Sequence, residues 1–154
     1  MEPQKNIETT YYNSSYRHGV DGARRLQIPS KWRPAEAGVE FTLILWPKSK
    51  EGPCLRVLPP QEMAELMRDI DAMPNSDPNK VVLKRFIGSE SVQVALDKAG
   101  RICLPDPMAK AAGIDGQAVL VGLLDRFEIW NPDRFEKVRA ADAIMAQEAF
   151  KMME

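Results

Sequence analysis

Asp21-Gly22-Ala23-Arg24-Arg25-Leu26-Gln27-Ile28-Pro29 returns 76 residues later as Asp97-Lys98-Ala99-Gly100-Arg101-Ile102-Cys103-Leu104-Pro105. Asp, Ala, Arg and Pro match in identity, and Leu and Ile exchange places. A second stretch agrees at a shift of 72: Leu55-x-Val57-Leu58-x-Pro60 against Phe127-x-Ile129-Trp130-x-Pro132, with Met63 then matching Phe135 and Leu66 matching Val138. The shift falls because the first copy carries extra residues around Pro47 to Pro53, as a lengthened surface loop would. The spacing exceeds the roughly 20 to 50 residues of stacked solenoid repeats, so two related halves are expected rather than an array.

Each half reads as strand, turn, strand, short helix, two strands, helix. Val92, Val94 and Leu96 alternate with Gln93 and Ala95, the period of a half-buried strand. Asp97 to Gly100 form a tight turn, in which Asp bonds neighbouring amides and Gly accepts positive φ. Ile102 and Leu104 resume the alternation until Pro105 ends it. Ala118 to Val121 and Phe127 to Trp130 make a further strand pair. Asn131 then offers an N-cap and Pro132 the first helical position, with Phe135, Val138, Ala141 and Met145 on one apolar face. The corresponding helix runs from Pro60 through Met63, Leu66, Met67 and Ile70 and stops before Pro74. Lys80 to Ile87 is ambiguous: Val81-Val82-Leu83 favours a strand, whereas Asp77-Pro78 resembles a helix start, and helix is the reading adopted. The chain divides into a disordered extension over 1–12, a first repeat over 13–73, a linker and inter-repeat segment over 74–88, and a second repeat with its C-terminal helix over 89–154.

Composition narrows the function. The chain has 154 residues, 44% hydrophobic and 28% charged, with net charge -1, enough apolar content for a packed core but without a run of about 20 apolar residues to span a membrane. No secretory pattern opens it, and a soluble, cytoplasmic protein is expected. Cys54 and Cys103 form no CxxC pair, so neither a zinc site nor a disulfide framework is expected. A nucleophile–histidine site would have to run through the single histidine, His18, and no phosphate-binding glycine loop is present. No enzyme activity, cofactor, metal or small-molecule substrate is therefore expected.

The paired Asp-x-x-x-Arg turns resemble the MraZ proteins of bacteria, each running into an apolar-x-apolar-Pro strand. Phe86-Ile87-Gly88-Ser89 resembles that family's inter-repeat segment, and Val121-Gly122 followed by Phe127-Glu128-Ile129-Trp130 its second-half pattern. The resemblance covers about residues 15 to 140. It implies an α+β fold: a tandem pair of AbrB-like swapped-hairpin units with short helices, pseudo-two-fold within one chain and assembled into homo-oligomeric rings. It further implies a nucleoid-associated transcriptional regulator that binds double-stranded DNA at directly repeated boxes upstream of the division and cell-wall gene cluster, acting by promoter occupancy. Two departures stand out. Family members commonly carry Lys-Gly before the first motif arginine where this chain has Ala23-Arg24, and an arginine after the second proline segment where it has Ala109-Lys110.

The expected DNA contacts are Arg24, Arg25, Lys98 and Arg101, with Asp21, Asp97 and Gly100 supporting the turns. A rigid turn suits an arginine that must approach a base edge at a fixed angle. The plainer reading is that each Asp pairs with its own Arg across the turn, and the two readings are compatible. In the first turn Arg24 would adopt positive φ, unless Gly22 moves the flexible position two residues earlier. Basic residues Arg17, Arg24, Arg25, Lys31 and Arg33 surround Asp21 alone, which makes the first copy the expected main DNA surface. Trp32, between two of those cations, is read as packing, with base stacking as the alternative. Trp46, Phe127, Trp130 and Phe135 are read as core or subunit contacts, and both cysteines as unreactive. The rival functions are an AbrB-type antitoxin or protein-interaction module, and a small enzyme on a duplicated β scaffold.

Overall fold

The structure, a computed structural model, describes residues 9–47 and 49–154. The first half supplies β1 (Ser15–Gly19), β2 (Arg25–Gln27), a single 3-10 turn (Ser30–Trp32), β3 (Glu40–Trp46), β4 (Cys54–Leu58) and α1 (Pro60–Asp71). After α2 (Pro78–Ser89), the second half repeats the order as β5 (Ser91–Ala95), β6 (Arg101–Cys103), α3 (Asp106–Ala111), β7 (Gln117–Gly122), β8 (Phe127–Trp130) and α4 (Pro132–Lys151). The fold is α+β and its strand pairs are antiparallel. The ambiguous stretch is helical, because Asp77 accepts the Asn79 amide at 2.9 Å and Pro78 opens α2 with a preset φ. Asn131 does the same for α4, accepting the Arg134 amide at 3.0 Å.

Four of the six described strand pairs join the two halves. The main sheet runs β1-β7-β8-β4-β3-β5, so each half's first strand pairs with the other half's third strand. Ser15 lies opposite Val121 at one edge, and Ser91 opposite Ile44 at the other. At the centre β4 meets β8, and a separate ribbon pairs β2 with β6. Read from either end, the six-stranded order gives the same series of corresponding strands.

Trp32 is fully buried, with its ring centroid 5.0 Å from that of Phe127 and 5.8 Å from that of Tyr12. Trp32 is therefore a packing residue, as read from the sequence, and its burial excludes the alternative of base stacking. The expected extension over 1–12 falls largely on residues 1–8, outside the described residues. Its last residue departs from the expectation, since Tyr12 is buried and exchanges backbone hydrogen bonds with Leu124 at 2.9 and 2.8 Å. Burial, with the Glu62 charge second, pushes the Tyr12 phenol up to about 12.

The apolar face expected on α4 is only partly used. Phe135 and Val138 are half-buried, but Ala141 and Met145 are exposed. A helix of 20 residues spans about 30 Å, longer than strands of four to seven residues, so its C-terminal turns lie beyond the sheet. On α1 the inward residues are Met63, Leu66 and Ile70, while Met67 points to solvent.

At the central β4–β8 pair Arg56 faces Glu128 across the register. Glu128 is buried and accepts from Arg56 Nε at 3.0 Å and Nη2 at 2.7 Å, and from Trp130 Nε1 at 3.0 Å. The Arg56 guanidinium also lies 4.0 Å from the centre of the Trp46 ring. Removing one partner of such a buried pair strands the other charge. Glu128→Ala is therefore expected to lower unfolding free energy by about 3 kcal/mol, measured by urea denaturation. A loss below about 0.5 kcal/mol would show that water replaces the carboxylate at no cost.

Candidate nucleic-acid interface

The two Asp-to-Arg turns adopt one geometry. In the first, Asp21 Oδ1 accepts the amides of Ala23 (3.0 Å) and Arg25 (2.8 Å), while Oδ2 accepts Arg25 Nε at 2.7 Å. In the second, Asp97 Oδ1 accepts the amides of Ala99 and Arg101, both at 2.9 Å, and Oδ2 accepts Arg101 Nε at 3.0 Å. The fourth residue of each turn donates its amide to the aspartate carbonyl, at 2.9 Å from Arg24 and 3.0 Å from Gly100. Each carboxylate thus closes its turn through the backbone and fixes one edge of its arginine.

Those hydrogen bonds hold both carboxyls below the ordinary carboxylate range, the amides of Arg25 and Arg101 respectively contributing most. The pairing foreseen as the plainer reading is present, and it leaves the other guanidinium edge available. Among the described residues neither Arg25 nor Arg101 makes a hydrogen bond through its Nη atoms.

Antiparallel pairing of β2 with β6 sets Arg25 opposite Cys103 and Gln27 opposite Arg101. Leu26 and Ile102 point inward and are buried, so Arg25, Gln27, Arg101 and Cys103 share the outer face. Arg101 Nη1 comes within 4.0 Å of Asp21 Oδ2, which ties one turn to the other. The basic first copy is consequently not a separate surface: both turns flank one short ribbon. Lys98 sits exposed in the second turn.

Three placements at the turns and cysteines are fixed by the structure. Positive φ falls on Arg24 (φ 59°) and not on Gly22, because the fourth turn position needs it, as Gly100 (φ 79°) shows in the other half. Arg24 does not project from the tip; its Nε donates to the Leu104 carbonyl at 3.2 Å and Nη1 lies 3.5 Å from Asp106. Cys103 is exposed on the ribbon, its thiol donating to the Ala23 carbonyl at 3.4 Å, whereas Cys54 is buried and its thiol is pushed up.

Sequence reasoning also passed over Gln27 and the particular job of Arg33. Gln27 Nε2 donates to the Ala99 carbonyl at 2.8 Å, and Arg33 Nε donates to the Ile28 carbonyl at 2.9 Å while lying over Gly100. Gln27 aligns with Cys103 and Arg33 with Ala109, so the repeat itself offers no signal for either.

The chain is similar to known proteins over most of its length. A "Transcriptional regulator MraZ" from Clostridium tetani (strain Massachusetts / E88) is 33% identical over 139 residues, covering 90% of this chain and 94% of that protein. The chain belongs to the MraZ family. Proteins of the same name from Alkalilimnicola ehrlichii and Rickettsia rickettsii are 31% and 32% identical, covering 78% and 88% of this chain and 80% and 91% of their own lengths. The family described as "MraZ protein, putative antitoxin-like" matches residues 87–152. That segment contains the second turn, with Gly100 at its fourth position. No described helix is long and apolar enough to cross a membrane.

A depressed native carboxyl means that turn stabilisation is complete above the unfolded carboxylate pKa, roughly 4, and is lost as pH falls through the lower native value. The amides of Ala23, Arg25, Ala99 and Arg101 are expected to stay protected from hydrogen exchange at neutral pH and to lose protection in acid, after correction for intrinsic rates. Protection that persists unchanged well below that range would show that the carboxylates do not hold the turns.

Proposed function

We propose that this MraZ chain is a transcriptional regulator that binds double-stranded DNA in a sequence-specific way through the outer face of the β2–β6 ribbon. The observation that carries this reading is the pair of equivalent Asp-braced arginines, Arg25 and Arg101, on one rigid ribbon. A two-stranded ribbon fits the major groove, and an arginine with one edge held can present its other edge to guanine O6 and N7. Lys98 would add a phosphate contact. Arg24, the fourth expected contact, is folded toward α3. The four turn cations stand against Asp21 and Asp97 in the turns and Asp106 beside Arg24, so the ribbon keeps a small positive excess in a chain of net charge -1.

The interlocked pairing supports reading the fold as a tandem AbrB-like swapped hairpin, with the repeats bounded as 13–73 and 89–154. We also propose assembly into rings of identical subunits. Exposed apolar side chains on α2 (Val81, Val82, Leu83, Phe86) and at the end of α4 (Ile144, Met145, Phe150) support self-association. A ring repeats one hairpin in one orientation, which suits direct repeats upstream of a division and cell-wall gene cluster and multiplies a modest affinity. Bound there, the protein would regulate by occupying the promoter and would associate with the nucleoid. No chemistry is required.

Fluorescence anisotropy with the gene's own upstream duplex and a scrambled duplex, across a salt series, tests this. Preference for the upstream duplex is expected, with log affinity falling linearly against log salt. Arg25→Ala and Arg101→Ala should each weaken binding to the upstream duplex by about tenfold or more and narrow its preference over the scrambled duplex. A folded Arg25→Ala protein that binds as wild type does would remove the assignment.

A further inference from the structure

The two turns match in hydrogen bonding but are held to the opposite half in different ways. In the second turn the left-handed residue is Gly100, and Arg33 from the first half lies across it. A Cβ on Gly100 would stand 2.5 Å from the Arg33 guanidinium carbon, so a side chain there would displace that arginine as well as strain a backbone at φ 79°. From there Arg33 Nε donates to the Ile28 carbonyl at 2.9 Å, while the Ile28 amide donates to the Gly100 carbonyl at 3.0 Å.

The corresponding residues at the first turn are Arg24 for Gly100, Leu104 for Ile28 and Ala109 for Arg33. The backbone bond is kept, with the Leu104 amide donating to the Arg24 carbonyl at 2.9 Å. Ala109 is buried and has no guanidinium to offer. The Leu104 carbonyl nevertheless receives one, from Arg24 Nε at 3.2 Å, and the same side chain lies 3.5 Å from Asp106. A residue that should be glycine on backbone grounds is thus an arginine, at the one turn where no arginine covers it from the other half.

We propose that Arg24 is a positioning residue that takes the place of the arginine absent at position 109, clamping the first turn to the second half so that Arg25 is presented as Arg101 is. Its guanidinium fills the place that Arg33 fills on the other side, which is why a side chain is retained in spite of positive φ. The consequence for DNA rests on the reading above; the clamp itself does not.

Thermal unfolding of the full chain with Arg24→Gly, Ala109→Arg and the double variant tests the clamp. In the wild-type background Ala109→Arg meets an occupied place beside a like charge, and no rise in Tm is expected. Position 109 is buried, so the arginine carries a packing cost in both backgrounds; its effect on Tm should be more favourable by about 3 °C in the Arg24→Gly background, where the lost bond to Leu104 is restored. The relief of backbone strain by glycine at position 24 is common to both members of that comparison and cancels. An equal effect of Ala109→Arg in both backgrounds would overturn the proposal.

Binding to the upstream duplex supplies a readout that stability alone would not move. Arg24→Gly should weaken affinity at every salt concentration with the slope unchanged, and Ala109→Arg should restore it. A slope lower by about one in Arg24→Gly would make Arg24 a direct phosphate contact and overturn the positioning role. If the wild-type chain binds no DNA, the functional reading fails, and the thermal comparison still decides the clamp.

Discussion

The backbone groups of β1 and β5 find their ladder partners only in the other half, on β7 and β3. Buried amides and carbonyls must be bonded, so neither half has a satisfied sheet until both are in place. The same holds for the ribbon, since among the described strands β2 pairs only with β6. Everything proposed for the two turns follows from this constraint. Their relative position is set by cross-half hydrogen bonds at both ends of a three-residue ladder, not by a flexible linker between independent units.

Joining the two halves in one chain releases corresponding positions from being identical. Where β4 meets β8, two identical strands would place like residues face to face. This chain instead sets Arg56 against Glu128, and a buried charge gains its partner. The turns use the same freedom: one keeps glycine under an arginine from the other half, and the other has an arginine of its own. Duplication thus conserves the backbone arrangement while the side chains that hold it diverge.

Much of the local structure was legible from residue type alone. Asp followed four residues later by Arg, with an apolar-x-apolar-Pro run behind it, located both turns and both ribbon strands. Asn131-Pro132 and Asp77-Pro78 marked helix starts because their capping is local. The pairing partners were not legible, because a period of two tells which face a strand buries and not which strand lies beside it. Tyr12 was misjudged for a related reason: it sits among polar neighbours in sequence, and only the folded arrangement brings it to Phe127. At the site, the direction of Arg24 and the coverage of Gly100 by Arg33 depend on contacts between residues some 70 to 80 apart, beyond any spacing rule.

The central claim is that the two turns act as one DNA-reading surface, and hydrogen exchange by mass spectrometry with and without the upstream duplex tests it most directly. The account requires segments 21–27 and 97–103 to gain protection together, at the same duplex concentration, and to gain little from the scrambled duplex. Protection of only one of the two segments, or protection confined to α2 and α4, would contradict it.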